Sequence, residues 1–284
     1  MKKTCLVVTV LLVLLLTISG IMTLVGKDSI SFNGKSIGLV RIEGPIIQSE
    51  EIMKEIRKYA SDNSIKAILI RVNSPGGVVA PSQEIYEEVT KAVKKKPVVV
   101  SMGALAASGA YYISAPATKI VANPGTLTAS IGVIMEFPNL SGLMQKIGIK
   151  TEVIKSGKHK DIASAFRGVG KEERQILQNI LDNVHEQFIR AVAEGRKMDI
   201  SKVRKIADGR VVTGQQALGL GLVDELGNFE DAKMIAAHLA GIKGEPRIVE
   251  KKVKKSILSL LNSSIAGNIG KVLPAIGLKY IFSL

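Results

Sequence analysis

From Ser36 to Leu239, short β-branched apolar runs alternate with stretches in which apolar residues recur every three or four positions. Ser36–Ile42, Ile65–Val72 and Val98–Ser101 read as strands. Ser49–Ala60 reads as a helix, and so does Pro81–Lys95, which gathers Ile85, Val89, Ala92 and Val93 on one face. A further helix opens over Ser108–Ala115, and helical spacing returns over Glu172–Glu194 and Asp231–Leu239. Strands separated by helices of this length predict right-handed crossovers and an α/β fold with a mainly parallel sheet. No internal repeat is visible, and the linkers fall at 26–35 and around 241–246.

A different pattern precedes this body. Residues 1–4 carry Lys2 and Lys3, and residues 5–25 form an almost unbroken apolar run. Twenty-one residues suffice for a helix across a hydrocarbon core of roughly 30 Å, and the run exceeds the apolar region of a cleaved signal peptide. It predicts one transmembrane signal anchor with a cytoplasmic N-terminus, and therefore an extracytoplasmic body. Residues 36–248 are enough for one domain with its own core, followed by a basic and apolar tail over 249–284. The sole cysteine, Cys5, lies in the anchor, so the body has neither a disulfide nor a cysteine nucleophile.

The formal net charge is +14; without the six lysines after Glu250 it is +8. With no tryptophan, and with basic residues scattered among acids, the sequence does not read as a nucleic-acid binder. Attraction to an anionic lipid surface accounts for the charge better.

The chemistry gathers at a few positions. Ser108 stands among small residues in Met102–Ser114, directly after an apolar strand. Such neighbours allow a sharp turn and the close approach of a substrate carbonyl to a nucleophilic hydroxyl. Asn73-Ser-Pro-Gly-Gly77 follows another strand, and two adjacent glycines there can turn amides toward an oxyanion. A base is needed. His185 and His238 lie in helical patterns and read as surface residues, whereas Lys155, Lys158, His159 and Lys160 cluster in one segment. Composition does not choose among these four.

Five segments occur in an order that resembles the bacterial signal peptide peptidase A family: Arg71–Gly77, Ser101–Ser114, Leu127–Glu136, Ile154–Ile162 and Ala207–Val211. The Gly219–Gly227 segment follows them, and the similarity runs from about Ile37 to Leu239. The resemblance implies a membrane-bound serine peptidase of the ClpP/crotonase fold with a Ser/Lys dyad and no metal or organic cofactor. It implies Ser108 as nucleophile, Lys160 as general base, Gly77 with Gly76 and the Gly109 amide as oxyanion donors, and Ser130 as a supporting hydroxyl. It also implies the short, single-domain form, a homo-oligomeric ring in which neighbouring subunits share each dyad. Its substrates would be signal-peptide remnants and other hydrophobic peptides. This chain lacks the proline that many relatives carry near Ala165.

Two other classes compete with this reading. One is a crotonase-type acyl-CoA enzyme, disfavoured by an exported site. The other is a scaffold or regulatory protease acting on a membrane partner such as a stomatin-like protein. For the tail, amphipathic spacing over Ile257–Ile265 suggests membrane-surface attachment, with subunit packing or disorder as alternatives.

Overall fold

The apolar runs become the strands of an eight-stranded sheet with helices on both faces. The computed structural model describes residues 36–251 and the backbone of residues 278–281. The anchor read over 5–25, the linker over 26–35 and most of the tail lie outside the described residues. Among the described helices none is long and apolar enough to cross a membrane.

The chain runs through β1 (Ser36–Glu43), α1 (Glu50–Ser61), β2 (Ile65–Ser74), β3 (Gly76–Val78), α2 (Val79–Val93), β4 (Val98–Ala107) and α3 (Gly109–Ser114). It continues through β5 (Lys119–Ala122), β6 (Leu127–Ala129), β7 (Ile134–Met135), α4 (Ser141–Lys146) and α5 (Lys171–Arg196). Then follow α6 (Ile200–Ile206), β8 (Val211–Thr213), α7 (Gly214–Gly219), β9 (Glu225–Leu226), α8 (Phe229–Leu239), β10 (Arg247–Glu250) and β11 (Leu278–Ile281). The main path of the large sheet is β10-β1-β2-β4-β5-β9, all parallel. β6 adds parallel to the distal half of β4, and β8 adds antiparallel to β6. The sheet is thus mainly parallel but mixed, and a second sheet, β3-β11-β7, is antiparallel.

Alternation along each strand divides the core. Ile37, Leu39, Ala67, Leu69 and Val99 meet the small residues Ala232, Ala236 and Ala237 of α8. Their neighbours Val40, Ile42, Ile68, Ile70, Val98 and Val100 meet α1, α2, α3 and α5 on the opposite face. Because both faces are covered, the strands are apolar at nearly every position. Burial of each such Ile, Leu or Val side chain contributes roughly 1.5–3 kcal/mol.

Two elements differ from the sequence expectation. The Asn73–Gly77 segment is not simply a loop: Gly76–Val78 forms β3, held by a parallel bridge between Gly77 and Ile46. The third strand does not stop at Ser101 but runs on to Ala107. Alanine and glycine have little intrinsic strand preference, yet this extension is paired by β2 at Ala106 and by β6 from Leu105 to Ala107. Neighbouring strands supply what local propensity does not.

The short helix α3 is fixed from behind. Tyr112 stacks against Tyr86 of α2 and Phe188 of α5 at centroid distances of 4.9 and 5.0 Å. Tyr111 is fully buried and donates its hydroxyl to the Leu222 carbonyl at 2.9 Å. Burial pushes its phenol well above the ordinary tyrosine range. Tyr111→Phe strands a buried carbonyl and is expected to cost about 1–3 kcal/mol. Urea unfolding followed by circular dichroism measures that loss, and an unchanged midpoint would show the bond to be dispensable.

Candidate active site

Ser108 occupies the single residue between β4 and α3. Its backbone is left-handed in φ, at 55° with ψ −118°, a conformation an L-residue holds only when its surroundings impose it. The constraints are visible. The Ser108 amide donates to the Ala129 carbonyl at 2.7 Å, and its carbonyl accepts from the Tyr112 amide at 2.8 Å. Ala107 pairs with Ala129 in the adjoining ladder, so the end of β4 and the end of β6 are locked together.

The same lock brings up Ser130. Ala129 and Ser130 both have positive φ, 63° and 52°, which places three strained non-glycine residues together around one corner of the sheet. The Ser130 amide donates to the Arg210 carbonyl at 3.0 Å, and Gly209 donates to Ile131 at 3.1 Å. The Ala207–Val211 segment therefore backs the Ser130 turn, a role its sequence alone does not reveal.

A cavity of about 580 Å³ opens at this corner, lined by Ser108, Ser130, Ile134, Leu181, Asp182 and His185, among others. Ser108 is only 2% exposed but reaches this cavity. The α5 wall is what the sequence reading missed. Gln178, Leu181, Asp182 and His185 repeat at the spacing of one helix face, and all line the cavity. His185 is thus not the surface residue expected: it is half-buried, and its Nε2 is buried with no hydrogen-bond partner among the described residues. His238 is exposed, as expected.

The two predicted glycines have separate reasons to be glycine. Gly76 has φ 96°. A Cβ on Gly77 would lie 2.0 Å from the Ile46 carbonyl oxygen. Ile46 donates to the Gly76 carbonyl and accepts from the Val78 amide, both at 2.8 Å. Since backbone groups alternate sides along a strand, the N–H and C=O of Gly77 face away from Ile46, toward β11. Gly109 is buried and opens α3, so its amide is one of the donors a helix start leaves without an internal partner.

The four candidate bases have different fates. The Lys155 ammonium pairs with Asp161 at 2.5 Å and Lys158 with Glu172 at 2.5 Å, while His159 Nε2 is 3.3 Å from Glu172. For Lys160, no group among the described residues takes up its ammonium. It is exposed and does not line the Ser108 cavity. Within one chain the structure brings together Ser108, Ser130 and the two oxyanion candidates' strand, but not Lys160.

What does hold the Lys160 segment is Arg167. Its guanidinium donates to both Asp161 carboxylate oxygens, at 2.8 and 2.9 Å, and to both Glu173 oxygens, at 2.7 and 2.5 Å. Glu173 also accepts from the Gly170 amide at 3.0 Å, which fastens the clamp to the first turn of α5. The Arg167 guanidinium and then the Gly170 amide hold the Glu173 carboxyl down at about 2. Arg167 and Lys155 hold Asp161 well below the usual carboxylate range.

Comparison with known proteins fits this architecture. Residues 90–243 match the model of peptidase family S49. A protein of Methanocaldococcus jannaschii, named as a candidate protease, is 38% identical over 298 residues, covering 96% of each chain. One from Enterococcus faecium, named as a candidate signal peptide peptidase SppA, is 38% identical over 72% of this chain and 58% of its own. Protease 4 of Salmonella typhi is 37% identical over 85% of this chain but only 40% of its own length. A family match spanning more than half the chain, and a relative similar from end to end, lead to one conclusion: this chain belongs to peptidase family S49 and is a serine peptidase of the SppA type.

Proposed function

We propose that this peptidase is held at the cytoplasmic membrane by residues 5–25 and cleaves hydrophobic peptides, including spent signal peptides, with a Ser108/Lys160 dyad shared between two copies of the chain. The observation that carries the reading is the strained Ser108 turn opening onto a cavity to which the described residues contribute no lysine. A second supports it. Of the Lys155, Lys158 and Lys160 ammonium groups, only that of Lys160 has no partner among the described residues, and its segment carries the exposed apolar residues Val153 and Ile154, with Leu143, Ile147 and Ile149 preceding them. A second copy covering that apolar segment would desolvate Lys160 and bring it to the neighbouring Ser108.

The chemistry then runs in ordinary steps. Desolvation favours the neutral amine, which takes the Ser108 proton as Oγ attacks the peptide carbonyl. The Gly77 and Gly109 amides, with Gly76 shaping the loop, hold the oxyanion; each such donor is worth about 2.7–4 kcal/mol. The lysine passes its proton to the leaving amine as the C–N bond breaks, and water hydrolyses the acyl-enzyme. Ser130, on the cavity wall, orients the amine. None of these steps calls for a cofactor.

Ser108→Ala and Lys160→Ala should each abolish hydrolysis of hydrophobic peptides. Co-assembly of the two inactive variants should restore part of the activity, because some sites then combine an intact serine with an intact lysine. Retained activity in both single variants removes the dyad, while absence of any recovery on mixing removes the sharing.

Arg167 positions Lys160 through the adjacent Asp161. Arg167→Met should lower kcat about 10- to 100-fold, the scale of a misplaced catalytic group, with KM changed much less. The clamp also predicts an acid limit. Because Glu173 is depressed in the folded chain, its contribution is fully present above the free-glutamate value of 4.5 and is lost as pH falls from there through about 2. Hydrogen exchange of residues 155–170 should rise over that window in the native chain, and already at neutral pH in the Arg167 variant; equal protection in both would reject the clamp.

A further inference from the structure

The strand that ends at Ser108 does not keep register with its neighbour. Val72 of β2 stands opposite Met102 of β4, yet Ser74 stands opposite Ala106, so one residue of β2, Asn73, faces three of β4, Gly103 to Leu105. Bulges are rare between parallel strands, and beside active sites they re-aim a side chain. The two surplus residues amount to about 6.6 Å of strand, so the path of this bulge sets how far Ser108 stands beyond β2.

Where the ladder is interrupted, side chains reach its backbone. The Arg71 guanidinium donates to the Met102 carbonyl at 3.1 Å and to Ser101 Oγ at 2.8 Å. Asn73 Oδ1 accepts from the Leu105 amide at 3.2 Å, and a Cβ on Gly103 would lie 3.0 Å from the same oxygen. The Thr126 hydroxyl donates to the Gly103 carbonyl at 2.7 Å, and the Thr128 hydroxyl to the Ala106 carbonyl at 2.8 Å. Thr128 Oγ1 is also 3.4 Å from Met102 Sδ, so it touches both ends of the bulge. Thr126 and Thr128 are buried, and neither lines the Ser108 cavity. Buried hydroxyls bonded to main-chain carbonyls hold a backbone path that the interrupted ladder leaves undetermined.

We propose that Thr128, with Thr126 and Asn73, is a positioning residue: it holds the β4 bulge and thereby sets the place of the Ser108 hydroxyl relative to the oxyanion donors. The inference rests on the reading of Ser108 as nucleophile and adds the residues that aim it. The bulge closes at Ala106, two residues before Ser108; Ala107 then pairs with Ala129, and the Ser108 amide takes the Ala129 carbonyl. Thr128 therefore stands directly ahead of the lock between β4 and β6. A bulge free to relax shifts Ser108 along its strand but leaves the cavity walls in place, because most of them belong to α5 and to the residues from Ser130 onward. Substrate affinity is retained while the attack slows.

Thr128→Val keeps the branched shape and removes the donor. In the full chain it should lower kcat for a hydrophobic peptide about 10- to 100-fold, the scale of a misplaced catalytic group, and leave KM within about twofold. Labelling of Ser108 by a fluorophosphonate should slow by the same factor. Thr128→Ser, which restores the hydroxyl, should recover most of kcat. Lys96→Met is the control for lost stability: the Lys96 ammonium donates to the Tyr59, Asp62 and Ile65 carbonyls at 2.7, 2.9 and 2.7 Å, ahead of β4 and at the end away from Ser108. It should lower the unfolding midpoint and leave kcat unchanged. Asn73→Ala, at an exposed position, should reproduce the loss of kcat, and Asn73→Asp, which keeps the acceptor, should not; this pair decides the matter if Thr128→Val does not fold, and equal kcat in the two rejects the role. A native kcat in Thr128→Val, or a loss that Thr128→Ser does not restore or that Lys96→Met matches, overturns the inference. Ser108→Ala separates the two readings: hydrolysis retained there rejects the nucleophile itself, whereas an inactive Ser108→Ala beside a fully active Thr128→Val rejects only the positioning role.

Discussion

Everything at the active corner depends on the lock between the ends of β4 and β6. Ala107 pairs with Ala129, and the next amide, that of Ser108, donates to the same Ala129 carbonyl. That bond holds Ser108 in a left-handed conformation, costing of order 1–3 kcal/mol, and the packing of Tyr111 and Tyr112 behind α3 offsets the cost. The reward is positional. A serine at the last point of a buried strand cannot drift, and its neighbours are too small to cover it.

The division of labour between rigid and adjustable parts follows. Ser108, Ser130 and the glycine pair sit on or beside the central sheet, where both faces are packed and strand register leaves no freedom. The lysine segment instead lies outside that sheet, among exposed apolar residues, and is held by the Arg167 clamp onto Asp161 and Glu173. Under the proposed dyad, such a segment reaches its working environment only when a second copy covers it. In the proposed assembly, formation of the ring and formation of the base are one event, which keeps an isolated chain from cutting indiscriminately.

Much of this was legible along the chain. Strands read from β-branched runs and helices read from apolar spacing appear at their expected places, because a sheet covered on both sides leaves little room for polar residues. The Gly-Gly pair was readable as a special backbone, though not its cause: the Ile46 carbonyl that excludes any Cβ from Gly77 belongs to a residue thirty-one positions earlier. The α5 wall was missed for a similar reason. Gln178, Leu181, Asp182 and His185 show their common face only once the helix is laid across the cavity, and a polar helix face ordinarily means solvent.

By itself the sequence determined the three central strands and five of the helices, which serine sits at a strand-to-helix turn, and that one segment gathers Lys155, Lys158, His159 and Lys160. These are local matters, set by side-chain shape and spacing. Only the tertiary structure decided that β4 runs on through alanines, that Lys155, Lys158 and His159 are engaged while Lys160 is not, and that residues 278–281 lie beside Gly77. The strand extension and the place of residues 278–281 depend on partners in other elements, the lysine pairings on carboxylates that the folded loop and α5 bring up, and no local preference of alanine, lysine or tyrosine encodes which partner it will meet.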